Sequence, residues 1–376
     1  MFFQLKTALF SLIEDSLNGR CRSPWFWPLR GLLWLLSRFY YLALLIRAAF
    51  RRLGFFSAQR VPLQVVCVGN LAVGGRGKTP FSLFLAKAFV ALGRKTVIAT
   101  RGYGSQMAKQ KTSRLFECSA FPLQLNSPDF FRQAGDEALI FLRRLAGENK
   151  AAVAVGKDRR HSARLSLAWR AERLILDDGF QSARIKADRT VLLVKAADFD
   201  PKAGFLPFGV LRDLPKRAQE ADLIAVELTD LDWALGVFEK NRIVAFERIF
   251  SGFFGAGGQR ADWSENSFLG AFCALGSPEA FFQDLKKQGL KIILEQRFLD
   301  HWPISEKVLQ ALAQKAKSQG AAALVCTEKD FVKLPSCRPV LPVYYPELDL
   351  KIVFGLENLK KVLFDGAFMS EAGPDF

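Results

Sequence analysis

The residue types best suited to chemistry lie in one glycine-rich stretch, Gly74-Gly75-Arg76-Gly77-Lys78-Thr79-Pro80. An apolar run at 65–69 precedes it, and an apolar helical pattern at 81–89 follows it. A strand, a glycine loop, Lys-Thr and a helix are the arrangement that cradles nucleotide phosphates. Glycines let several backbone N–H groups point at one anion, and the helix N-terminus adds partial positive charge. We therefore predict a Mg²⁺-ATP site, with the Lys78 ammonium on the β- and γ-phosphates and the Thr79 hydroxyl on Mg²⁺. The predicted cradle comprises Ala72, Val73, Gly74, Gly75, Arg76, Gly77, Lys78 and Thr79.

One position departs from the eight-residue phosphate-loop pattern, because Ala72 stands where that pattern begins with glycine. The alternative interpretation is a glycine-rich turn between a strand and a helix, followed by a chance Lys-Thr pair. The strand and helix on either side favour the phosphate cradle.

A pair of carboxylates, Asp177-Asp178, follows a short apolar run at 174–176. The pair resembles a Walker B motif, in which a carboxylate at a strand end holds Mg²⁺ directly or through water. We predict that Asp177 and Asp178 lie opposite Thr79 and hold the metal. The alternative is an Asx turn that closes the strand.

Two further residues are candidates for proton transfer. Asp136 lies at a predicted helix start, where a carboxylate either caps the helix or accepts a proton from an attacking hydroxyl. The residues alone leave both roles open. His301 follows Asp300 in a predicted loop, where it either pairs with a carboxylate or has a structural role.

Other basic residues could meet an anion. Arg101 and Arg212 both lie near glycine loops at strand ends, where a guanidinium can bind phosphate bidentately, although either is as well explained as a solvated or structural arginine. His161 lies on a helix that also carries Arg159 and Arg160, and we expect this face at the surface, with an anion-binding patch as the alternative.

The elements that must position these residues form an α/β pattern over residues 61–250. Short apolar strands alternate with helices, which indicates a parallel sheet covered on both faces. Ligands bind such sheets at the carboxyl ends of the strands, where the glycine loop and the carboxylates fall. Residues 106–134 carry no clear pattern and are expected to form an excursion.

A second, smaller α/β domain is predicted over residues 251–365, followed by a tail at 366–376. Four glycines in 251–258 suggest a hinge between the two domains. The length of 376 residues agrees with more than one core. The larger domain, 61–250, is predicted to resemble a P-loop NTPase domain and to bind the nucleotide.

Residues 1–60 form a hydrophobic N-terminal segment. The run 31–50 approaches the roughly 20 apolar residues of a spanning helix. Arg38 lies near its middle, where a charge costs about 2.5–3.5 kcal/mol on insertion scales. Because Arg47 falls on nearly the opposite side of a helical wheel, we expect no clean polar stripe. We predict a membrane-associated helix, either spanning or interfacial; the alternative is a helix buried against the protein itself.

The charge balance and the cysteine content limit the classes of partner and cofactor that the chain is expected to bind. The chain has 53 basic and 37 acidic residues, a net charge of +16, which favours nucleic acid, anionic lipid or a phosphorylated substrate. We find no nucleic-acid recognition motif and predict no nucleic-acid partner. The six cysteines contain no C-x-x-C pair, which favours reduced thiols over disulfides or zinc.

The ordered set of motifs resembles the lipid A 4′-kinase family (tetraacyldisaccharide 4′-kinase) over roughly residues 20–360. The resemblance rests on Gly69-Asn70-Leu71 with the glycine loop, Arg101-Gly102-Tyr103-Gly104, Gly135-Asp136-Glu137, Asp177-Asp178-Gly179-Phe180-Gln181, Asp300-His301 and Thr327-Glu328-Lys329-Asp330. The family does not keep the first glycine, so Ala72 agrees with it. Ser182 departs from the histidine that the family usually has there.

The resemblance implies transfer of the ATP γ-phosphate to the 4′-hydroxyl of a tetraacyl glucosamine disaccharide 1-phosphate, at the cytoplasmic face of the inner membrane. It further implies that Asp136 is the base, that His301 is its partner, and that Asp177 and Asp178 are metal-side carboxylates. Two α/β/α domains with a cleft between them are also implied. We expect a monomer on the inner membrane surface, acting on this anionic glycolipid.

A rival from another class is a membrane-associated P-loop switch ATPase, which uses a similar loop. Such proteins usually carry an additional lysine early in the loop, and Ala72-Val73 provides none. They transfer phosphate to water, so they need no hydroxyl substrate.

Overall fold

The computed structural model describes residues 27–55, 58–120, 128–182, 184–261, 263, 267–275, 278–299, 302, 304–335 and 337–364. His301, Cys21, the predicted tail and the first part of the hydrophobic N-terminal segment lie outside the described residues.

Within these residues the strands form one 12-stranded mixed sheet with the order β10-β9-β11-β12-β8-β7-β6-β1-β5-β2-β4-β3. Its strands are β1 (Gln64–Asn70), β2 (Thr96–Thr100), β3 (Ser113–Glu117), β4 (Ala151–Gly156), β5 (Arg173–Asp177), β6 (Arg189–Leu193), β7 (Leu223–Glu227), β8 (Ile243–Phe254), β9 (Phe268–Cys273), β10 (Lys291–Arg297), β11 (Ala323–Cys326) and β12 (Val343–Phe354).

Helices cover this sheet and extend from it. They are α1 (Trp27–Arg52), α2 (Lys78–Ala91), α3 (Gln106–Gln110), α4 (Pro128–Ala134), α5 (Asp136–Arg144), α6 (Arg159–Ala168), α7 (Leu231–Val237), α8 (Pro278–Lys287), α9 (Glu306–Ser318), α10 (Glu328–Phe331) and α11 (Leu356–Leu363). Short 3₁₀ turns lie at 196–199, 215–220, 228–230 and 240–242.

The predicted parallel sheet is present around β1, which pairs in parallel with β5 on one side and with β6 on the other. The burial of β1, β2 and β4 is nearly continuous because helices cover both faces, as expected for parallel strands. One face packs on α2 and α5, and the opposite face packs on α6. Because all these parallel strands end at the same edge, that edge collects the loops that carry the predicted site.

Two long strands that the sequence did not predict join the halves of the molecule. β8 and β12 pair antiparallel over most of their length, and β11 pairs in parallel with β12, which links the second α/β part to the first. The expected hinge at 251–258 is therefore wrong for its first four residues, which continue β8. The division into two domains at residue 250 stays a prediction.

The excursion at 106–134 contains regular structure that its weak pattern concealed. α3 is followed by β3, which adds an antiparallel edge strand beside β4. The side chain of Ser105 caps α3 by accepting a hydrogen bond from the Ala108 amide at 3.1 Å. Only Phe116 of this five-residue edge strand is buried, so the segment has no alternating apolar pattern that would have indicated a strand.

The N-terminal helix α1 has 26 residues, of which only Ser37 and Leu44 are buried. Its length of about 39 Å exceeds the roughly 30 Å hydrocarbon core of a bilayer. By length and composition it is able to cross a membrane. The alternative of a helix buried against the protein itself fails for most of its surface.

Candidate active site

The glycine loop leads from β1 into α2 through two left-handed backbone conformations. Gly74 has φ 100° and Gly77, the residue before α2, has φ 83°, and glycine adopts such values without steric cost. The Arg76 guanidinium binds the buried Asp198 carboxylate at 2.5 Å, and the Val73 amide donates to the carbonyl of Val210 at 2.8 Å. The loop is thus fixed at both ends, and the first turn of α2 directs its N-terminal dipole into it.

Lys78 belongs to a charged cluster around Asp178. Its Nζ lies 3.5 Å from Asp178 Oδ1, and the Arg212 guanidinium binds both oxygens of the same carboxylate. Arg212 also donates to the side-chain oxygen of Asn70 at the end of β1. Asp178 has a left-handed backbone with φ 53°, which is uncommon outside glycine and typical of functional turns. The cluster ties the phosphate loop to the turn that follows β5.

The charges in this cluster shift each other's pKa. Burial raises the pKa of Asp178, but the hydrogen bonds from Arg212 and the charge of Lys78 outweigh it and hold that pKa well below its usual range. Burial lowers the pKa of Lys78, and Asp178 opposes this shift. The arrangement keeps Asp178 ionised and holds Lys78 in a largely desolvated place.

Asp177 lies one residue earlier, at the end of β5, and is buried. Its Oδ1 accepts a hydrogen bond from the Ser82 hydroxyl at 2.9 Å, and its backbone carbonyl accepts one from Arg159 at 2.6 Å. Burial raises the pKa of Asp177 to about 7, and the nearby negative charge of Glu137 adds to this shift. Glu137 is held by the Thr100 hydroxyl at 2.9 Å. The ends of β2 and β5 and the start of α5 therefore meet here.

The metal prediction can be tested against the donor set. Thr79, Asp177 and Glu137 offer the hydroxyl and carboxylate oxygens that Mg²⁺ prefers. Both oxygens of Asp178 are bound to Arg212, so Asp177 is the better placed of the two predicted carboxylates. Among the described residues no group of three His, Cys, Asp or Glu side chains is gathered tightly enough to hold a metal by itself. Such a site agrees with Mg²⁺, which usually takes one or two carboxylates and completes its shell with phosphate and water.

Asp136 is the first residue of α5 and is 3% exposed. Gly135, with φ 87°, occupies the N-cap, so Asp136 does not take the N-cap role that the sequence left open. Its Oδ1 accepts from the Glu137 amide at 3.0 Å, while its Oδ2 faces Lys333 Nζ at 3.3 Å and Lys329 Nζ at 3.9 Å. One oxygen thus satisfies a free helix amide, and the other lies in a positive environment.

The lysines that face Asp136 come from the far part of the sheet. Lys329 lies in α10, within the motif Thr327–Asp330, and Lys333 follows two residues after the end of that helix. The motif is structural support: the Asp330 carboxylate accepts from the Thr327 hydroxyl at 2.6 Å and from the Ala274 amide at 2.9 Å. Asp136 therefore joins the two α/β parts through charge.

The structure brings most of the predicted residues to one sheet edge, and some predictions need correction. Arg159, expected on an exposed helix face, is 1% exposed beneath Asp177. His161 on the same helix is exposed, as expected. Arg212 binds a carboxylate rather than lying open for phosphate, and Arg101 is exposed. His301, predicted as the partner of Asp136, lies outside the described residues.

Sequence reasoning missed several contributors to this site. They are Asn70, Ser82, Thr100, Glu137, Arg159, Lys329 and Lys333. Glu137 was available as the neighbour of Asp136 within a quoted motif, and Ser82 lies one helical turn after Lys78. Lys329 was likewise available within the quoted motif Thr327–Asp330, whereas Lys333 carried no signal, because its distance to Asp136 depends on the pairing of β11 with β12.

Comparison with known proteins decides the family. A model of the tetraacyldisaccharide-1-P 4′-kinase family, LpxK, matches residues 29–365. The chain belongs to this family. It is similar to the tetraacyldisaccharide 4′-kinase of Chlamydia caviae, with 35% identity over 306 residues, covering 79% of this chain and 80% of the relative. The enzyme of the same name from Chlamydia abortus is 34% identical over 295 residues, covering 76% of this chain and 77% of the relative.

A solved structure extends the likeness to three dimensions. The LpxK of Aquifex aeolicus, crystallised in complex with ATP, superposes with a TM-score of 0.73 at 26% identity. The match covers 90% of this chain and 99% of the Aquifex chain. The mixed α/β sheet of this chain is therefore that of the LpxK family.

Proposed function

We propose that this chain is an ATP-dependent lipid kinase that transfers the γ-phosphate to the 4′-hydroxyl of a tetraacyl glucosamine disaccharide 1-phosphate in lipid A biosynthesis. One observation carries the proposal. One edge of the sheet brings together the glycine loop with Lys78 and the carboxylates of Asp136, Asp177 and Asp178. The chain that forms this edge belongs to the tetraacyldisaccharide-1-P 4′-kinase family.

ATP is proposed to lie with its phosphates in the loop Ala72–Thr79. The backbone amides of the loop and the N-terminus of α2 suit a polyanion. Lys78, whose Nζ lies 3.5 Å from Asp178 Oδ1, would bind the terminal phosphate oxygens. Arg212 then keeps Asp178 neutralised while Lys78 is engaged.

Mg²⁺ is proposed to be held by Thr79 and Asp177, with Asp178 on the metal side of the cluster. When bound, the ion neutralises phosphate charge that develops during transfer. Ser82 orients the Asp177 carboxylate through the hydrogen bond at 2.9 Å. Arg159, buried beneath the β5 end, balances the negative charge of Asp177 and Glu137.

The 4′-hydroxyl is proposed to give its proton to Asp136, with His301 as the partner of that carboxylate. The Asp136 Oδ1 is held by the Glu137 amide, so Oδ2 has a fixed direction. Lys333 and Lys329 keep a positive charge within 3.9 Å of Oδ2 and lower the cost of bringing an anionic substrate there. The acceptor would approach between the two α/β parts, which we propose as separate domains lining a cleft.

The substrate is a lipid, so the enzyme is proposed to act as a monomer at the cytoplasmic face of the inner membrane. α1 exposes large apolar side chains along most of its length, including Leu32, Phe39, Leu42 and Ile46. The net charge of +16 favours contact with anionic lipid. Membership of the LpxK family and the exposed apolar side chains of α1 together support membrane association.

A direct transfer assay tests the proposal. Purified protein in detergent is mixed with Mg²⁺, γ-labelled ATP and the tetraacyl disaccharide 1-phosphate, and the labelled lipid is separated and counted. The expected result is label in the lipid that depends on both Mg²⁺ and the acceptor. Release of phosphate to water at the same rate with and without the disaccharide would overturn the kinase proposal and favour the switch ATPase.

A further inference from the structure

Several polar side chains of α1 face the protein together with the buried Leu44, whereas most of its large apolar side chains are exposed. The inward stripe follows the spacing of 3 and 4 residues that places side chains on one helix face. It consists of Ser37, Tyr40, Leu44, Arg47 and Arg51. The exposed Arg38 lies on the opposite side. As expected, Arg38 and Arg47 lie on opposite sides of α1, and the inward stripe is mixed, because it contains the buried Leu44 beside Ser, Tyr and Arg side chains.

The stripe holds a stretch of chain that we term the clasp segment, residues 205–213. The Ser37 hydroxyl donates to the Phe205 carbonyl at 2.8 Å, and the ring of Tyr41 lies 4.9 Å from that of Phe205. The Tyr40 hydroxyl donates to the Arg212 carbonyl at 2.9 Å. The clasp segment is thus fixed to the membrane-associated helix at both ends.

The other side of the clasp segment holds the start of the phosphate loop. The Val73 amide donates to the Val210 carbonyl at 2.8 Å, and the Arg212 amide donates to the Leu71 carbonyl at 2.9 Å. The side chain of Arg212 binds Asp178, the partner of Lys78. One segment therefore contacts α1 on one side and the predicted phosphate site on the other.

A second route runs from Arg47. Its guanidinium donates to the Gln181 carbonyl, and the Gln181 side chain donates to the Asn70 carbonyl at 2.8 Å. The Asn70 side chain in turn donates to the Ala72 carbonyl at 2.6 Å. Both routes end on the first residues of the cradle, so the position of α1 and the shape of the cradle are linked by hydrogen bonds.

We propose that Tyr40 and Arg47 are positioning residues for nucleotide binding, and that α1 supports the ATP cradle as well as attaching the protein to lipid. The inference rests on the proposed function. Loss of either contact leaves a carbonyl of the clasp segment or of Gln181 without its donor and loosens Arg212, Asn70 and the loop entrance. Small displacements of a positioned phosphate reduce transfer strongly.

The test compares two arginines of the same helix. Arg47→Met and Arg38→Met each remove one charge and leave the same side chain, but of the two arginines only Arg47 donates to the protein body, whereas Arg38 lies over the Trp34 ring of the same helix. KM for ATP, KM for the disaccharide and melting temperature are measured for full-length protein in detergent micelles, together with binding of a non-hydrolysable ATP analogue.

Arg47→Met is expected to raise KM for ATP and weaken analogue binding by about 3- to 10-fold, less than the full value of one hydrogen bond from a charged donor, because Arg47 acts on the cradle only through Gln181 and Asn70. Arg38→Met is expected to leave both within about 1.5-fold of the parent, as for a surface substitution. Tyr40→Phe, which keeps the ring, should raise KM for ATP by roughly 2- to 5-fold. Arg47→Lys should restore part of the affinity.

Equal KM for ATP in Arg47→Met and Arg38→Met would overturn the inference, and so would an Arg47→Met effect confined to melting temperature and KM for the lipid. Should Arg47→Met fail to fold, the comparison of Tyr40→Phe with the parent decides in the same way. A parent enzyme that binds the analogue but labels no lipid would overturn the proposed function instead.

Discussion

Replacement of Lys78 by methionine separates catalysis from stability at the predicted cradle. Lys78→Met keeps the length of the side chain and removes its charge. We expect phosphoryl transfer to fall by about 10³-fold, because a unit charge about 4 Å from a phosphate oxygen contributes roughly 4 kcal/mol at an effective dielectric constant near 20. The loss of about 10³-fold in rate is a lower bound, because the negative charge on the phosphate grows during transfer.

The same change is expected to leave folding stability nearly untouched. Asp178 loses Lys78 but keeps two hydrogen bonds from Arg212, so no carboxylate is left unpaired. Burial lowers the pKa of Lys78, so the folded protein binds the ammonium proton less tightly than the unfolded chain does. Burying the charged ammonium therefore costs folding free energy, and methionine does not carry that cost. The melting temperature of Lys78→Met should stay within about 3 °C of that of the parent, a shift that corresponds to roughly 1 kcal/mol.

The assay combines initial rates of lipid labelling with thermal melting of the same preparations. Lys87→Met is the matched control: Lys87 lies on α2 as well, but it is 43% exposed and pairs with Asp349. The control should keep both activity and melting temperature. Transfer above about a tenth of the parent rate in Lys78→Met would refute the role of Lys78. A large drop in melting temperature would refute the view that Arg212 alone satisfies Asp178.

Three further predictions concern neighbouring carboxylates. Asp136→Asn should lower kcat by about 10²- to 10⁴-fold with little change in KM for ATP, because it removes the proton acceptor and no cradle contact; an unchanged kcat in initial-rate assays would return Asp136 to helix support. Asp177→Asn should raise the Mg²⁺ concentration for half-maximal transfer at least tenfold, whereas Ser82→Ala, which frees the carboxylate without removing it, should raise it less; equal Mg²⁺ titrations would contradict the metal role. Glu328→Gln should reduce the loss of stability with rising pH. Burial raises the pKa of Glu328 from 4.5 to about 7, although the charge of Arg144 opposes this shift. Between these two pH values the folded state binds more protons than the unfolded chain. The stabilisation that is present below pH 4.5 is therefore lost as the pH rises through about 7. Melting curves between about pH 5 and 8 check this, with the exposed Glu239→Gln as control, and parallel curves for parent and Glu328→Gln would contradict it.

The order of strands and helices around the cradle could be predicted because it depends on local sequence patterns. The run 65–69, the glycine loop and the pattern 81–89 predicted β1, the turn and α2, and the structure has them at nearly those bounds. The Ser305 hydroxyl caps α9 by accepting a hydrogen bond from the Val308 amide, a local signal of the same kind. Each of these signals depends on residues within one or two turns of each other.

β8 and β12 could not be predicted in the same way. Each is only partly buried along its length, and their pairing joins segments about a hundred residues apart, so neither shows a strict alternation. The burial of Arg159 was missed for a related reason. An arginine among other basic residues on a helix suggests a solvated face, and only the packing of α6 under the end of β5 turns it inward.

The sequence by itself determined the local geometry on which the predicted chemistry of the cradle depends, because glycine, lysine, threonine and paired aspartates at strand ends act through short-range backbone geometry that the residue types impose. Tertiary structure alone decided which distant groups complete the site. Lys333 reaches Asp136 only through the pairing of β11 with β12, and the clasp segment reaches α1 only after the chain has returned from β6. Contacts between residues far apart in the chain depend on the packing of the whole sheet, and no local pattern encodes that packing.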